Sequence, residues 1–140
     1  MKIVVLAVGK LRDKHMGALC DDYASRARHH LPLEIVEVPD DAALARKWPD
    51  GGETIALEPG GDSWTTEQFA RHVEQRMTYG TRTLTFVIGG ADGIPAPLVA
   101  RAARRLSLSA MTLPHRLARL VLLEQIYRAL SIIRDTPYHH

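Results

Sequence analysis

Residues 84–93 read LTFVIGGADG, a run from Leu84 to Ile88 that passes directly into Gly89-Gly90-Ala91-Asp92-Gly93. A short, almost wholly apolar run predicts a strand buried on both faces of a parallel sheet. The glycines after it predict a loop at the carboxyl edge of that sheet, where open α/β folds place their ligand crevice. Paired glycines allow close backbone approach or a positive φ. The spacing matches neither G-x-G-x-x-G nor G-x-x-x-x-G-K-[ST], and no lysine follows to hold phosphates. A dinucleotide or ATP site is therefore disfavoured, and the loop by itself fits a tight turn as well as a ligand cradle.

Strand and helix signals alternate on either side of this stretch. Ile3–Val8 is a β-branched run ended by Gly9, and Asp13 opens a segment with Leu19, Tyr23 and Ala27 at four-residue spacing. Leu33–Val38 alternates apolar and acidic residues and stops at Pro39, predicting a strand with one wetter face. Residues 41–48 predict a short helix, Thr54–Leu57 a third strand, and 58–62 (EPGGD) a turn-forming loop. Ser63 or Thr65 caps the next helix, which carries Phe69, Val73, Arg76 and Met77 and ends at Gly80. Pro95 and Pro97 suit the first turn of a helix running to about Arg105. Leu106–Leu113 reads as strand-like or extended up to Pro114, and 115–134 as the longest helix. Its apolar stripe (Leu117, Leu120, Val121, Leu123, Ile126, Leu130, Ile133) is wide enough for either a core helix or a subunit interface. Five strands separated by helices predict a single α/β domain over residues 1–140 with an open, mostly parallel sheet.

Composition agrees: 46% hydrophobic and 24% charged residues in 140 exclude whole-chain disorder. The lone Cys20 excludes an intramolecular disulfide framework and multi-cysteine metal sites, fits a reducing compartment, and reads as a small core residue. The apolar start is too short for a secretory signal, and no segment approaches a membrane span, so the expected location is the cytoplasm. No histidine stands in a recognised zinc pattern, so no metal is expected. His29 and His30 end the first helix, His72 is placed on a helix surface, and Ser107 and Ser109 lack the partners of a hydrolase triad. The net charge of +2 conceals an asymmetry, because residues 101–140 oppose seven arginines to Glu124 and Asp135 alone. Arginine's planar fork suits phosphates and stacked bases and makes a polyanionic partner plausible, although a solvated helix face is the plainer reading of such a cluster taken alone.

Four stretches in order, 84–93 (LTFVIGGADG), 106–115 (LSLSAMTLPH), 122–129 (LLEQIYRA) and 137–139 (PYH), resemble the SPOUT-class methyltransferases that modify N3 of a pseudouridine in bacterial 23S ribosomal RNA. Residues 1–10 (MKIVVLAVGK) and 35–39 (IVEVP) are similar to the same family, so the resemblance spans essentially the whole chain. It implies a SPOUT α/β fold of five to six strands with a C-terminal trefoil knot, a rare exception to unthreaded connections. It also implies bound S-adenosylmethionine, a homodimer and action on 23S rRNA within the 70S ribosome, without membrane or metal.

Carried over by position, cofactor contacts fall on Leu57, Gly89, Leu108, Ser109, Ala110, Met111, Thr112 and Leu113. Backbone groups there would bind the adenine edge and ribose, and the leucines would wall the ring. Methyl transfer requires N3 to lose its proton, and His139 is the leading base, with Tyr138 stacking on the target or its neighbour. Arg116, Arg119, Arg128 and Arg134 are candidates for phosphates or for the developing anion, with Arg119 grouped with the catalytic pair. Glu124 and Arg128, four apart, suit an intrahelical ion pair. Arg101, Arg104 and Arg105 are candidates for an RNA-facing surface. Two departures from the family pattern stand out: a shortened stretch after Pro39, and His140 where a basic residue usually follows Tyr-His. Alternative readings keep the fold and cofactor but change the nucleotide, or make the chain a non-enzymatic ribosome-associated RNA-binding domain.

Overall fold

The computed structural model describes residues 1–139; His140 lies outside the described residues. In chain order its elements are β1 (Lys2–Val8), α1 (Lys14–Arg28), β2 (Leu33–Val38), α2 (Asp41–Lys47), β3 (Glu53–Ser63), α3 (Thr66–Thr78), β4 (Thr83–Ile88), α4 (Ala96–Val99), β5 (Arg104–Ser107), α5 (His115–Ile133) and a 3-10 turn over Pro137–His139. The strands form one sheet in the order β2-β1-β4-β3-β5, and every neighbouring pair is parallel. β4 therefore has partners on both sides, and Leu84 to Ile88 are all buried, as its apolar run predicts. At the sheet edge, β2 turns Glu34 and Glu37 outward.

Alternation along each strand sorts side chains between two apolar layers. Ile3, Val5, Ala7, Ile55, Leu84, Phe86 and Ile88 point to the face covered by α1, α3 and α5. Leu6, Ala56 and Val87 point to the opposite face, which α2 and α4 cover with Ala43, Leu44 and Leu98. α5 supplies the largest helical share of the first layer: Leu122, Leu123, Ile126, Ala129 and Leu130 are all essentially inaccessible. The inner part of the wide stripe is spent within the chain, packed against α1 and α3, whereas Leu117, Leu120, Val121 and Ile133 stay partly exposed; Cys20 is buried in the same layer. Helix starts follow the local chemistry. Asp13 accepts hydrogen bonds from the His15 and Met16 amides, and Thr65 forms a reciprocal capping box with Gln68.

Four expectations change. First, the helix after Pro95 ends at Val99, not near Arg105, because the open edge of β3 competes for the chain: the Ala103 amide donates to Thr54 O at 2.9 Å and Arg104 pairs with Ile55. Second, only Leu106 and Ser107 of the strand-like 106–113 segment join the sheet, as the end of β5 (Arg104–Ser107). Beyond it, serine side chains replace the ladder, with Ser107 Oγ donating to Ser109 O and Ser109 Oγ accepting from the Met111 amide, both at 2.9 Å. Third, 58–62 is not merely a turn. β3 bulges after Leu57 and returns to pair Asp62 with Leu106 and Ser63 with Ser107. Fourth, His72 is buried, its Nε2 bonded to Glu53 and its ring 4.9 Å from that of Trp64. A charged group at the start of β3 drew it inward, which helical spacing alone does not reveal.

Truncating Leu123 in this packed layer removes contacts on all sides, so Leu123→Ala is expected to cost about 2–5 kcal/mol in urea unfolding. Leu19→Ala, at a site 49% exposed, is expected to change stability by about 0.5 kcal/mol or less. Equal losses would refute the layer assignment.

Candidate functional site

The bulge within β3 and the loops that leave the carboxyl ends of β4 and β5 lie side by side and line a cavity of about 630 Å³. Its walls are Leu57–Pro59, Ile88–Ile94 and Leu106–Pro114, and its base is closed by His115 and Ala118 from the first turn of α5. All eight residues carried over as cofactor contacts (Leu57, Gly89 and Leu108 to Leu113) are part of this lining. The volume lies in the usual range for small-molecule sites.

The cavity depends on unusually close backbone contacts. A Cβ added at Gly89 would fall 2.6 Å from Ile94 N and 2.8 Å from Gly93 O, and one at Gly61 would fall 2.6 Å from Arg105 C and 2.7 Å from Leu106 N. A side chain at Gly61 would push the β3 bulge off β5, and one at Gly89 would push the Gly93–Ile94 main chain off the end of β4. The polar groups are equally specific. The 108–113 loop offers main-chain donors and acceptors held by the Ser107 and Ser109 hydroxyls. α5 begins after Pro114 with no side-chain cap, so its first-turn amides and the positive end of its dipole border the cavity. Glu58 and Asp92 add two carboxylates to the lining.

Sequence reasoning did not single out Glu58, Asp92 or His115. Each lies inside a quoted motif, but no spacing rule marks a side chain that folding turns towards a cavity. Among the described residues no group of three or more metal-ligating side chains occurs, and no helix is long and apolar enough to cross a membrane.

The three residues grouped as catalytic lie elsewhere. Arg119 is 5% exposed; its Nη1 donates to Glu37 and its Nη2 to Gly9 O at 3.1 Å, and Glu37 also accepts from the Leu11 amide. It clamps α5 to β2 and to the β1–α1 turn, fixing the helix whose first turn closes the cavity. Burial works to raise the Glu37 pKa, but the hydrogen bonds from Arg119 and Leu11 prevail and hold it below the usual carboxylate range. Tyr138 donates to Glu124 Oε2 at 2.8 Å, stands 3.2 Å from the Tyr23 hydroxyl and packs its ring against Tyr127 and the Arg128 guanidinium. Burial and these neighbours push its phenol upward, so at neutral pH it is a neutral donor. Glu124 and Arg128 do form the intrahelical ion pair, at 2.7 Å. His139 is half-buried in the terminal 3-10 turn. Glu124, which anchors this tail, lies roughly 13 Å along α5 from His115 at 1.5 Å per residue, so tail and cavity occupy different parts of the helix.

A family model described as "Predicted SPOUT methyltransferase" matches residues 1–139. The chain belongs to the SPOUT methyltransferase family. Among this SPOUT chain's curated relatives, the ribosomal RNA large subunit methyltransferase H of Sorangium cellulosum is 42% identical over 145 residues and covers 100% of both chains. The protein of the same name from Limosilactobacillus fermentum is 39% identical over 158 residues, covering 99% of each. Among solved structures, a methylase family protein from Neisseria gonorrhoeae has a TM-score of 0.59 at 13% identity, covering 97% of this chain and 84% of its own. A methyltransferase from Legionella pneumophila, solved with the cofactor SAM bound, has a TM-score of 0.56 at 11% identity, covering 92% and 66%. At such identities these structures speak for the fold of the SPOUT domain.

Because Glu37 is held below its ordinary range, its contribution to stability is fully present above the unfolded carboxylate pKa of about 4.3 and is lost as pH falls through the lower folded value. Thermal melts are expected to show Glu37→Gln already destabilised at neutral pH and losing less than wild type on acidification. Parallel pH curves for the two proteins would contradict the clamp.

Proposed function

We propose that this SPOUT protein uses S-adenosylmethionine to methylate N3 of a pseudouridine in 23S ribosomal RNA, acting in the cytoplasm on the assembled 70S ribosome. The observation that carries the reading is the convergence of Leu57, Gly89 and Leu108–Leu113 on one glycine-cradled cavity. A full-length relationship to methyltransferases named for large-subunit ribosomal RNA supports the substrate class.

The residues fit the cofactor. Leu57, Leu108 and Leu113 wall an adenine ring and the 108–113 main chain meets its polar edge, while Gly89, lacking a Cβ, lets the Gly93–Ile94 main chain close onto the end of β4 and shape that wall. Glu58 and Asp92 suit the ribose hydroxyls and the amino group, and the uncapped first turn of α5 suits the carboxylate. S-adenosylmethionine when bound supplies an electrophilic methyl group on a sulfonium. The chain's task is then to hold the uracil ring in line and to take the N3 proton. His139 accepts that proton at an imidazole nitrogen, Tyr138 positions the neighbouring base by stacking, and Arg119 acts through α5 by keeping its first turn against the cavity. With the tail anchored along α5, the homodimer of this reading brings His139 of one copy to the cavity of the other. The trefoil threading belongs to the same proposal, with 108–115 passing between the loops at 58–63 and 89–93, as does the extent of the domain over residues 1–140.

The direct test is methyl transfer from labelled S-adenosylmethionine to 70S ribosomes lacking the modification, to 50S subunits and to free 23S RNA, with mapping of the labelled nucleotide. Label at pseudouridine N3 on 70S particles is expected; label at another nucleotide would overturn the target, and cofactor binding without transfer would favour a non-enzymatic RNA-binding role. Gly89→Ala is expected to abolish cofactor binding. His139→Ala is expected to leave binding intact and to slow single-turnover transfer about 10²–10⁴-fold. Mixed Gly89→Ala and His139→Ala dimers should regain part of the activity, and failure to complement would contradict the shared site.

A further inference from the structure

The amino edge of the sheet, opposite the cavity, carries a second cluster that the methyl-transfer reading leaves unused. Glu53 opens β3 and faces three cationic or potentially cationic side chains: His72 through Nε2, Arg76 through Nη1 at 3.7 Å and Arg104 through Nε at 3.4 Å. One carboxylate shared by two arginines leaves an excess of positive charge. Arg76 Nε is also buried without a hydrogen-bond partner among the described residues. Beside them, Tyr79 is the most exposed ring among the large hydrophobic side chains, at 76%, with the Arg76 guanidinium 5.9 Å from its centroid. It is held outward by a fixed turn. The Tyr79 amide donates to Gln75 O at 2.9 Å, the Thr81 amide donates to Arg76 O at 3.0 Å, and Gly80 takes a φ of +77°. Arg82 follows, exposed, its carbonyl accepting from the Lys2 amide at 2.8 Å; among the described residues no carboxylate lies within ion-pair distance of its side chain.

An exposed ring carried on a fixed turn beside arginines is the arrangement that grips unpaired nucleic acid, the ring by stacking and the guanidinium groups by phosphate contact. We propose that this edge is a second ribosomal-RNA contact, in which Tyr79 stacks on an unpaired base while Arg76, Arg82 and Arg104 meet the flanking phosphates. The inference rests on the ribosomal-RNA reading above and adds a site to it. β4 spans about 20 Å between the two edges at 3.3 Å per residue, so this contact reads RNA away from the methylated nucleotide. That is one physical reason for the reaction to need assembled ribosomal RNA rather than a short fragment.

The test compares full-length wild type, Tyr79→Ala, Tyr79→Phe and Arg82→Ala for KM and kcat on 70S ribosomes at several salt concentrations, for S-adenosylmethionine affinity, and for ribosome binding by sedimentation. Tyr79→Ala is expected to raise KM and weaken sedimentation binding roughly 5- to 150-fold with kcat and cofactor affinity unchanged, and Tyr79→Phe to restore both. Arg82→Ala should weaken binding and lower the log–log salt slope by about one. Unchanged binding in Tyr79→Ala and Arg82→Ala would overturn the proposal. So would weakened binding with no rescue by phenylalanine and no change in salt slope, which would indicate a ribosomal protein instead. Absence of transfer by wild type would sink the functional reading alone, and the sedimentation arm would still decide the RNA contact.

Discussion

The site depends on main chain meeting main chain. At Gly61 the bulged strand β3 lies against Arg105 and Leu106, and at Gly89 the end of β4 lies against Gly93 and Ile94, in both cases with no space for a Cβ. The first contact joins the 58–63 segment to β5, and the second folds the 89–94 segment back on the end of β4. Both segments line the cavity, so its shape depends on these two close approaches. Interior packing makes the arrangement durable, because the buried side chains of Leu122, Leu123, Ile126 and Leu130 fix α5 and so hold its first turn against the cavity.

Charge is used in the same economical way at three places. Arg119, paired with Glu37 and the Gly9 carbonyl, joins α5 to β2 and to the β1–α1 turn. Glu124 gathers Arg128 and Tyr138, and so seats the tail on the helix. Glu53 gathers His72, Arg76 and Arg104 at the opposite edge. Each carboxylate is partly shielded and surrounded by donors from other elements, and so ties those elements together. The arginine-rich C-terminal quarter is therefore not one uniform RNA surface: Arg119 and Arg128 hold the fold, and Arg104 is shared between an internal ion pair and solvent.

Periodicity and β-branched runs were enough to locate the five strands, the doubly covered β4 and the long α5, since those signals come from burial within one element. The ends of α4 and β5 were not legible, because an alanine-arginine run suits a helix and only the free edge of β3 recruits Ala103 and Arg104 into a sheet. The bulge after Leu57 and the burial of His72 were hidden for the same reason, each being decided by a partner far along the chain. For the site, the family resemblance placed eight residues that the fold brings to one cavity, whereas Glu58, Asp92 and His115 became visible only with the loops in space. The wide stripe of α5, which suited either a core or an interface, is divided: Leu123, Ile126 and Leu130 are buried in the core, while Leu117, Leu120, Val121 and Ile133 stay partly exposed.

The central claim is that the cavity between these three loops is where S-adenosylmethionine sits. A titration of the ¹⁵N-labelled protein with S-adenosylmethionine, followed by amide chemical shifts, tests it most directly. The account predicts saturable shifts concentrated in residues 57–61, 88–94 and 107–118, with the amides of α2 and of the 79–83 turn unmoved. Shifts centred on another face, or none at millimolar cofactor, would contradict it.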